Sequence, residues 1–184
     1  PVQGRSVKST LHSVPDCQAI TKKAIVERLR RAYNEKGWLN ESGAKYPVEV
    51  AILKDNVLLT IDTSGSGLNR RGYRLAQGEA PIKETLAASL IRLANWKGDT
   101  PLIDPFCGSG TIAIEACLIA QNIAPGFNRE FVSEQWNIMP ANIYDDYRDE
   151  ADKMADYDKE IEVYASDIDP EMIEIAKRNA EEVG

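Results

Sequence analysis

The sequence has few of the residues and patterns that mark several common protein classes. Its three cysteines are an odd number and lack metal-site spacing, so we expect neither a disulfide framework nor a zinc site. We interpret the only histidine, His12, as a surface or locally hydrogen-bonded residue. No apolar run approaches the roughly 20 residues that span a bilayer, and no signal peptide is recognisable. We therefore expect a cytoplasmic protein.

The most informative segment is the octapeptide D-P-F-C-G-S-G-T at residues 104–111, which lies between two apolar stretches. Residues 101–103 before it and 112–120 after it predict the order strand, glycine turn and helix. Gly108 and Gly110 would let the backbone approach a ligand closely, and free N–H groups at the helix start favour polar or anionic ligand groups. The spacing also fits a dinucleotide fingerprint. A phosphate-binding P-loop is excluded because no Gly-Lys-Ser/Thr follows.

The acid that opens the octapeptide narrows the choice of ligand. Asp104 at the end of a strand would repel a pyrophosphate and suits a cationic or hydroxyl-bearing ligand. S-adenosylmethionine is such a ligand, because it carries an ammonium, a sulfonium and a ribose.

A second acidic segment, residues 161–170, reads as a strand that ends in carboxylates and is followed by a helix. An acid at the end of the second strand of a parallel sheet can accept both ribose hydroxyls, a role that suits Asp167. Asp169 is predicted to be the N-cap of the helix that begins at Pro170. The usual gap from glycine loop to ribose acid is about 20 residues, so residues 122–160 are an insertion. It is either an excursion over the ligand pocket or a solvated loop and helix.

The first 70 residues differ in character from the rest. They predict a helix over about 15–33, with Ser13 and Asp16 at capping-box spacing, and then two strands over 48–53 and 57–62 around a turn at 54–56. Residues 1–75 carry a net charge of +6 and residues 76–184 one of −13. A basic module joined to an acidic one is compatible with phosphate binding at one end, although a solvated basic helix explains the charge as well.

Four segments together resemble the bacterial RNA methylases that carry a THUMP domain, often labelled N6-adenine-specific DNA methylases. They are the octapeptide, the acidic segment, R-G-Y-R at 71–74 and A-P-I-K-E-T-L-A-A at 80–88; N-I-A-P-G-x-x-R at 122–129 is similar to the start of the family's insertion. The resemblance implies an α/β fold: part of a Rossmann-like class I methyltransferase domain in residues 71–184. Residues 1–70 would be the C-terminal part of an α+β THUMP-like RNA-binding domain.

The resemblance also implies a cofactor, S-adenosylmethionine, and roles for individual residues. Asp104 would lie near the methionine ammonium, Asp167 on the ribose and Ile168 against the adenine. The start of the helix after residue 82 would border the methionine end. The implied cofactor-binding residues are Lys83, Glu84, Thr85, Asp104, Phe106, Cys107, Gly108, Gly110, Asp167 and Ile168, and the implied RNA-binding residues are Lys22, Lys23, Arg30 and Arg31.

The implied reaction is methyl transfer to a base amine of RNA, with guanine N2 of large-subunit ribosomal RNA as the expected target. Enzymes that methylate such amines usually present Asn or Asp before Pro-Pro and an aromatic residue, yet no Pro-Pro occurs in this chain. We therefore expect a fragment that binds the cofactor, holds no catalytic residue or metal, and is inactive alone. The alternatives are a DNA adenine-N6 methyltransferase and a non-catalytic RNA-binding module.

Overall fold

A computed structural model describes residues 1–74 and 81–184. Ala80, which opens the A-P-I-K-E-T-L-A-A segment, lies outside the described residues. The elements are, in chain order, β1 (Val2–Val7), α1 (Val14–Tyr33), β2 (Val48–Leu53), β3 (Asn56–Ile61), α2 (Glu84–Leu93), β4 (Leu102–Asp104), α3 (Thr111–Ala120), α4 (Ile143–Met154), β5 (Val163–Ala165) and α5 (Pro170–Glu181), with a short 3-10 helix at Val132–Gln135. Among the described helices, none combines the length and apolar character needed to cross a membrane.

The chain folds as two compact units. The first contains residues 1–65 and 131–141, and the second contains residues 66–130 and 142–184.

The first unit is built on a three-stranded sheet in the order β1-β2-β3. Strand β1 runs parallel to β2, which pairs antiparallel with β3. Helix α1 connects the two parallel strands and packs on β1, where Gly4 leaves room for it: a Cβ at this position would lie 2.8 Å from the Gln18 side chain. The sequence interpretation missed β1, because V-Q-G-R-S-V has apolar residues only at its ends.

The predicted helix and hairpin of this unit are confirmed, with a correction at the helix start. Helix α1 begins one residue earlier than expected, and Ser13 is its N-cap by position only, since its side chain makes no capping hydrogen bond. The predicted capping box is therefore wrong. The hairpin turn is Lys54–Asp55, both with positive φ, which matches the tight turns that join antiparallel strands.

Part of the insertion after α3 belongs to the first unit. The Trp136 ring stacks on Tyr46 with centroids 4.7 Å apart, and its indole N–H donates to the Lys45 carbonyl at 2.8 Å. Ser133 Oγ donates to the Thr63 carbonyl at 2.8 Å. Trp136 and Ser133 thus pack residues 131–141 into this unit. Helix α4, which follows them, has no buried residue and agrees with the second of the two alternatives for the insertion, a solvated loop and helix.

In the second unit α3 packs on a pair of parallel strands, β4 and β5, and α2 and α5 pack on α3. Helix α3 is its centre, since most of its residues are buried and its Ile114 and Leu118 form a core with Tyr73. Gly72 packs so closely that a Cβ there would lie 2.0 Å from the Asn128 carbonyl oxygen, and its φ is 101°. Only glycine satisfies both conditions.

Candidate functional site

Strands β4 and β5 end side by side, and the loops that follow them remain hydrogen-bonded. The Ser166 N–H donates to the Asp104 carbonyl at 2.9 Å, and the Cys107 N–H donates to the Ser166 carbonyl at 2.9 Å. These bonds continue the ladder past both strand ends. The octapeptide and the acidic segment, which are distant in sequence, therefore form one edge of the second unit.

Asp167 is attached directly to the glycine loop. Its Oδ2 accepts the Gly108 N–H at 2.9 Å, and its Oδ1 accepts the Asp169 N–H at 3.0 Å. The hydrogen bonds from Asp169 and Gly108 hold the pKa of the Asp167 carboxyl below its ordinary value, so it is ionised at neutral pH. As predicted, Asp169 caps α5, because its side chain accepts the Glu171 N–H at 2.9 Å.

One carboxylate oxygen of Asp104 is buried and unpaired among the described residues. The residue is 9% exposed, and Oδ1 accepts the Phe106 N–H at 3.3 Å. Oδ2 is buried and has no hydrogen-bond partner in the described part of the chain. A buried acceptor without a partner is costly, so this atom is suited to a cation or a donor from a ligand.

The thiol beside these acids is a neutral group. Burial, together with the negative charges of Asp104 and Asp167, raises the pKa of Cys107 above its ordinary value. Cys107 therefore serves as a small uncharged residue in the turn, rather than as a thiolate nucleophile.

The two glycines of the loop meet different surroundings. Both have positive φ, 50° at Gly108 and 82° at Gly110. A Cβ at Gly108 would have no atom within 4 Å, so the space beside it is open to a ligand. A Cβ at Gly110 would lie 3.0 Å from the Ala176 Cβ of α5. The close approach at Gly110 is thus between α3 and α5, and of these two glycines Gly108 is the one with open space beside it.

A cavity of about 320 Å³ opens beside the loop. Four predicted site residues line it, namely Asp104, Phe106, Cys107 and Gly108. The other lining residues are Pro81, Ile82, Ser109, Thr111, Ile112 and Met172, none of which the sequence interpretation assigned to the site. Asp167 is joined to this wall through Gly108, while Ile168 is fully exposed.

The start of α2 differs from the prediction. Glu84 is buried, and its carboxylate is already occupied: Oε1 pairs with Arg74 Nε at 2.8 Å, and Oε2 accepts from Asn69 at 3.4 Å. Lys83 and Thr85 are exposed, and none of the three predicted residues lines the cavity. The wall on this side is made instead by the two residues just before them, Pro81 and Ile82.

The R-G-Y-R segment supplies buried partners for acids on two helices. Besides the Arg74 pair, Tyr73 Oη donates to Glu115 Oε1 at 3.1 Å, and Arg71 Nε lies 3.3 Å from the same oxygen. Burial raises the pKa of Glu115, and burial together with the charge of Glu115 raises the pKa of Tyr73. The sequence signal for these pairs is the presence of two arginines in R-G-Y-R and of single acids, Glu84 and Glu115, in otherwise largely apolar helices.

The predicted RNA-binding residues lie along α1 in the first unit. Lys22, Lys23 and Arg31 are exposed, and Arg30 is partly buried. Lys23 approaches Glu27 at 3.9 Å, an exposed pair that contributes little to stability. The three exposed cations are accessible to a phosphate backbone, whereas Arg30 Nε is buried. The role of all four residues in RNA binding stays a prediction.

Comparison with family models identifies both parts of the chain. Residues 71–184 match the RMKL-like methyltransferase domain, and residues 1–62 match the THUMP domain. The Bacillus subtilis (strain 168) protein provisionally named RNA methyltransferase YpsC is 59% identical over all of this chain, which covers 48% of it. The ribosomal RNA large subunit methyltransferase K/L of Psychromonas ingrahamii is 40% identical over 89% of the chain, which covers 22% of that protein.

Solved structures resemble the whole chain as well. A predicted N6-adenine-specific DNA methylase from Listeria monocytogenes is 62% identical with a TM-score of 0.95, and the chain covers 48% of it. SMU.472, a provisionally assigned methyltransferase in complex with SAH (S-adenosylhomocysteine), is 45% identical with a TM-score of 0.90 and is covered to 49%. The chain spans about half the length of YpsC and of these structures, and less of the K/L protein.

Proposed function

Because this chain belongs to the RMKL-like methyltransferase domain family, we propose that its protein transfers a methyl group from S-adenosylmethionine to RNA. The proposed target is guanine N2 of large-subunit ribosomal RNA, which would place the protein in the cytoplasm. The THUMP match and the names of the YpsC and K/L proteins support an RNA substrate. The SAH complex of SMU.472 supports the cofactor.

The observation that carries the proposal is the buried Asp104 Oδ2, which no residue in the described part of the chain pairs, in a cavity beside the open space at Gly108. A buried carboxylate oxygen attracts an ammonium, and the free space at Gly108 accommodates a ligand against the backbone. The residues present therefore fit S-adenosylmethionine, which when bound supplies a methyl group activated by the sulfonium.

The chain's own residues would bind and orient. Asp104 would hold the amino group, and Asp167, ionised and fixed by two backbone N–H groups, would accept the ribose hydroxyls. The exposed side chains of Phe106 and Ile168 offer apolar surface for the base. Alignment of donor and acceptor supplies much of the rate enhancement in such reactions. The hydrogen bond between Asp167 and the Gly108 N–H would help to hold the loop in the conformation that aligns the donor.

Calorimetry with S-adenosylhomocysteine on the full-length protein tests the cofactor assignment. We expect Asp167→Ala to weaken binding at least tenfold, because two hydroxyls lose an ionised acceptor, each such bond contributing about 1.5 kcal/mol or more. Asp169→Ala is the matched control: it removes the α5 cap, costs about 1 kcal/mol of stability and leaves the affinity within about twofold. Unchanged affinity in Asp167→Ala would remove this residue from the site.

Labelled methyl transfer to total RNA and to DNA tests the substrate. DNA adenine-N6 methylation is the second candidate, favoured by the name of the Listeria monocytogenes structure. Incorporation into RNA, with the label in N2-methylguanine after digestion, supports the proposal. Incorporation only into DNA favours the second candidate, and incorporation into neither favours a binding-only RNA module.

A further inference from the structure

Arg74 connects three pieces of the second unit around one guanidinium. Its Nε donates to Glu84 Oε1 at 2.8 Å, and its Nη2 donates to the Ile82 carbonyl at 3.1 Å. Nη1 donates to Ser109 Oγ at 3.2 Å, and Nη2 also donates to Thr111 Oγ1 at 2.9 Å. The side chain is only 13% exposed, so these bonds are shielded from water.

The bonds reach two separate segments that line the same cavity. Ile82 belongs to the segment before α2, whereas Ser109 and Thr111 belong to the glycine loop and the first turn of α3, and all three line the cavity beside Asp104. Arg74 is not one of the described lining residues. Its guanidinium instead joins Ile82 to Ser109 and Thr111 through hydrogen bonds.

Only an arginine can make this set of contacts. The guanidinium carries five N–H donors in a fixed plane, and here they are divided among a carboxylate, a carbonyl and two hydroxyls. A lysine would preserve the charge opposite Glu84 but has one nitrogen, which cannot reach three separate segments. Arg74→Lys therefore keeps the charge opposite Glu84 but loses the hydrogen bonds that join the segment before α2 to the glycine loop.

We infer that Arg74 is a positioning residue for the cofactor site: it sets the spacing between the Ile82 wall and the loop at 109–111 against which the amino-acid end of S-adenosylmethionine binds. The inference rests on the proposed function. It assigns to the R-G-Y-R segment a role in binding beyond that of stabilising the fold.

Arg71 provides a matched control. Its side chain is also 13% exposed and pairs with a buried acid, Glu115, at 3.3 Å. It also donates to the Leu68 carbonyl at 3.3 Å, but neither Glu115 nor Leu68 lines the cavity beside Asp104, whereas three partners of Arg74 do. Arg71→Lys and Arg74→Lys should therefore lower the free energy of unfolding by similar amounts. A difference between the two variants in ligand affinity then reflects the place of the arginine relative to the cavity, and not a general loss of stability.

The test measures binding of S-adenosylhomocysteine and of 5′-methylthioadenosine, which lacks the amino-acid end, to the full-length protein. We expect Arg74→Lys to weaken S-adenosylhomocysteine at least tenfold and methylthioadenosine less than twofold. Arg71→Lys should leave both affinities within twofold. Each protein is measured well below its own melting temperature. If Arg74→Lys does not fold, the pair Arg74→Gln with Glu84→Gln, which leaves no unpaired buried charge, replaces it with the same expectation.

Each outcome decides between the claims. Equal weakening of the two ligands, equal effects of the two lysine variants, or unchanged affinity in Arg74→Lys overturns the positioning role while leaving the proposed function in place. A wild-type protein that binds neither ligand overturns both.

Discussion

Replacing Asp104 with asparagine should move stability and ligand affinity in opposite directions. Without ligand, the buried Oδ2 has no hydrogen-bond partner among the described residues, and an unsatisfied buried polar group costs about 1–3 kcal/mol, with more for a charged one. Asparagine keeps an oxygen for the Phe106 N–H and removes the charge. We therefore expect the free energy of unfolding of the ligand-free protein to rise by about 1 kcal/mol.

With S-adenosylhomocysteine bound, the wild type should become more stable than Asp104→Asn. Loss of a hydrogen bond between charged groups, about 1.5–3 kcal/mol, weakens the affinity for S-adenosylhomocysteine by roughly 10- to 100-fold. At a concentration 100 times the wild-type Kd, the wild type gains about 2.7 kcal/mol of stability, and a variant that binds about 30-fold more weakly gains only about 0.9 kcal/mol. The wild type should then be the more stable protein by about 1 kcal/mol.

Thermal unfolding of both full-length proteins, with and without S-adenosylhomocysteine, measures this reversal, and calorimetry supplies the two affinities. The exposed Asp99 just before β4, changed to asparagine, is the control and should shift neither quantity. A variant that is less stable than the wild type without ligand would refute the cost assigned to Oδ2. Equal stabilisation of both proteins by ligand would refute the role of Asp104 in binding.

Two further predictions concern the remaining buried groups. Trp136→Ala removes a stacked ring that is 7% exposed and should lower the free energy of unfolding by about 3–5 kcal/mol in denaturant titration. The control Trp38→Ala, at a residue that is 95% exposed, should change it by no more than about 0.5 kcal/mol. Similar costs for the two variants would show that residues 131–141 are not part of the core. Burial raises the pKa of Glu115, so its protonation favours the folded state. The stability of the wild type relative to Glu115→Gln should be greatest below the ordinary pKa of 4.5 and should fall as the pH rises above that value, and a difference that is constant or grows with pH in melting experiments contradicts this.

The sequence predicted those helices and strands whose own residues show a recognisable pattern. Helix α1, the β2–β3 hairpin, β4 with α3, and α5 with its Asp169 cap were all found from periodicity, turn residues and capping preferences. The helices and the hairpin depend on hydrogen bonds between residues close in sequence, which is why a single stretch of chain carries the information. Strand β4 pairs with the distant β5, but its apolar run before the glycine turn is a local signal.

The elements and partners that were missed depend on distant residues. Strand β1 pairs with β2 across α1, and the polar middle of V-Q-G-R-S-V carries no period that reveals it. Residues 131–141 read as part of a loop, yet Trp136 finds its stacking partner at Tyr46. Such contacts are decided by how elements pack, not by local propensity.

For the candidate site, the sequence by itself determined the two acids, the glycine turn between strand and helix, and hence the class of ligand expected there. The tertiary structure decided which of those residues are free to bind. Within residues 1–74 and 81–184, one Asp104 oxygen is buried and unpaired, and Glu84 is paired with Arg74. The cavity wall at the start of α2 is made by Pro81 and Ile82. The physical reason is that a carboxylate's availability depends on whether a cation from another segment already neutralises it, and that pairing exists only once the chain has folded.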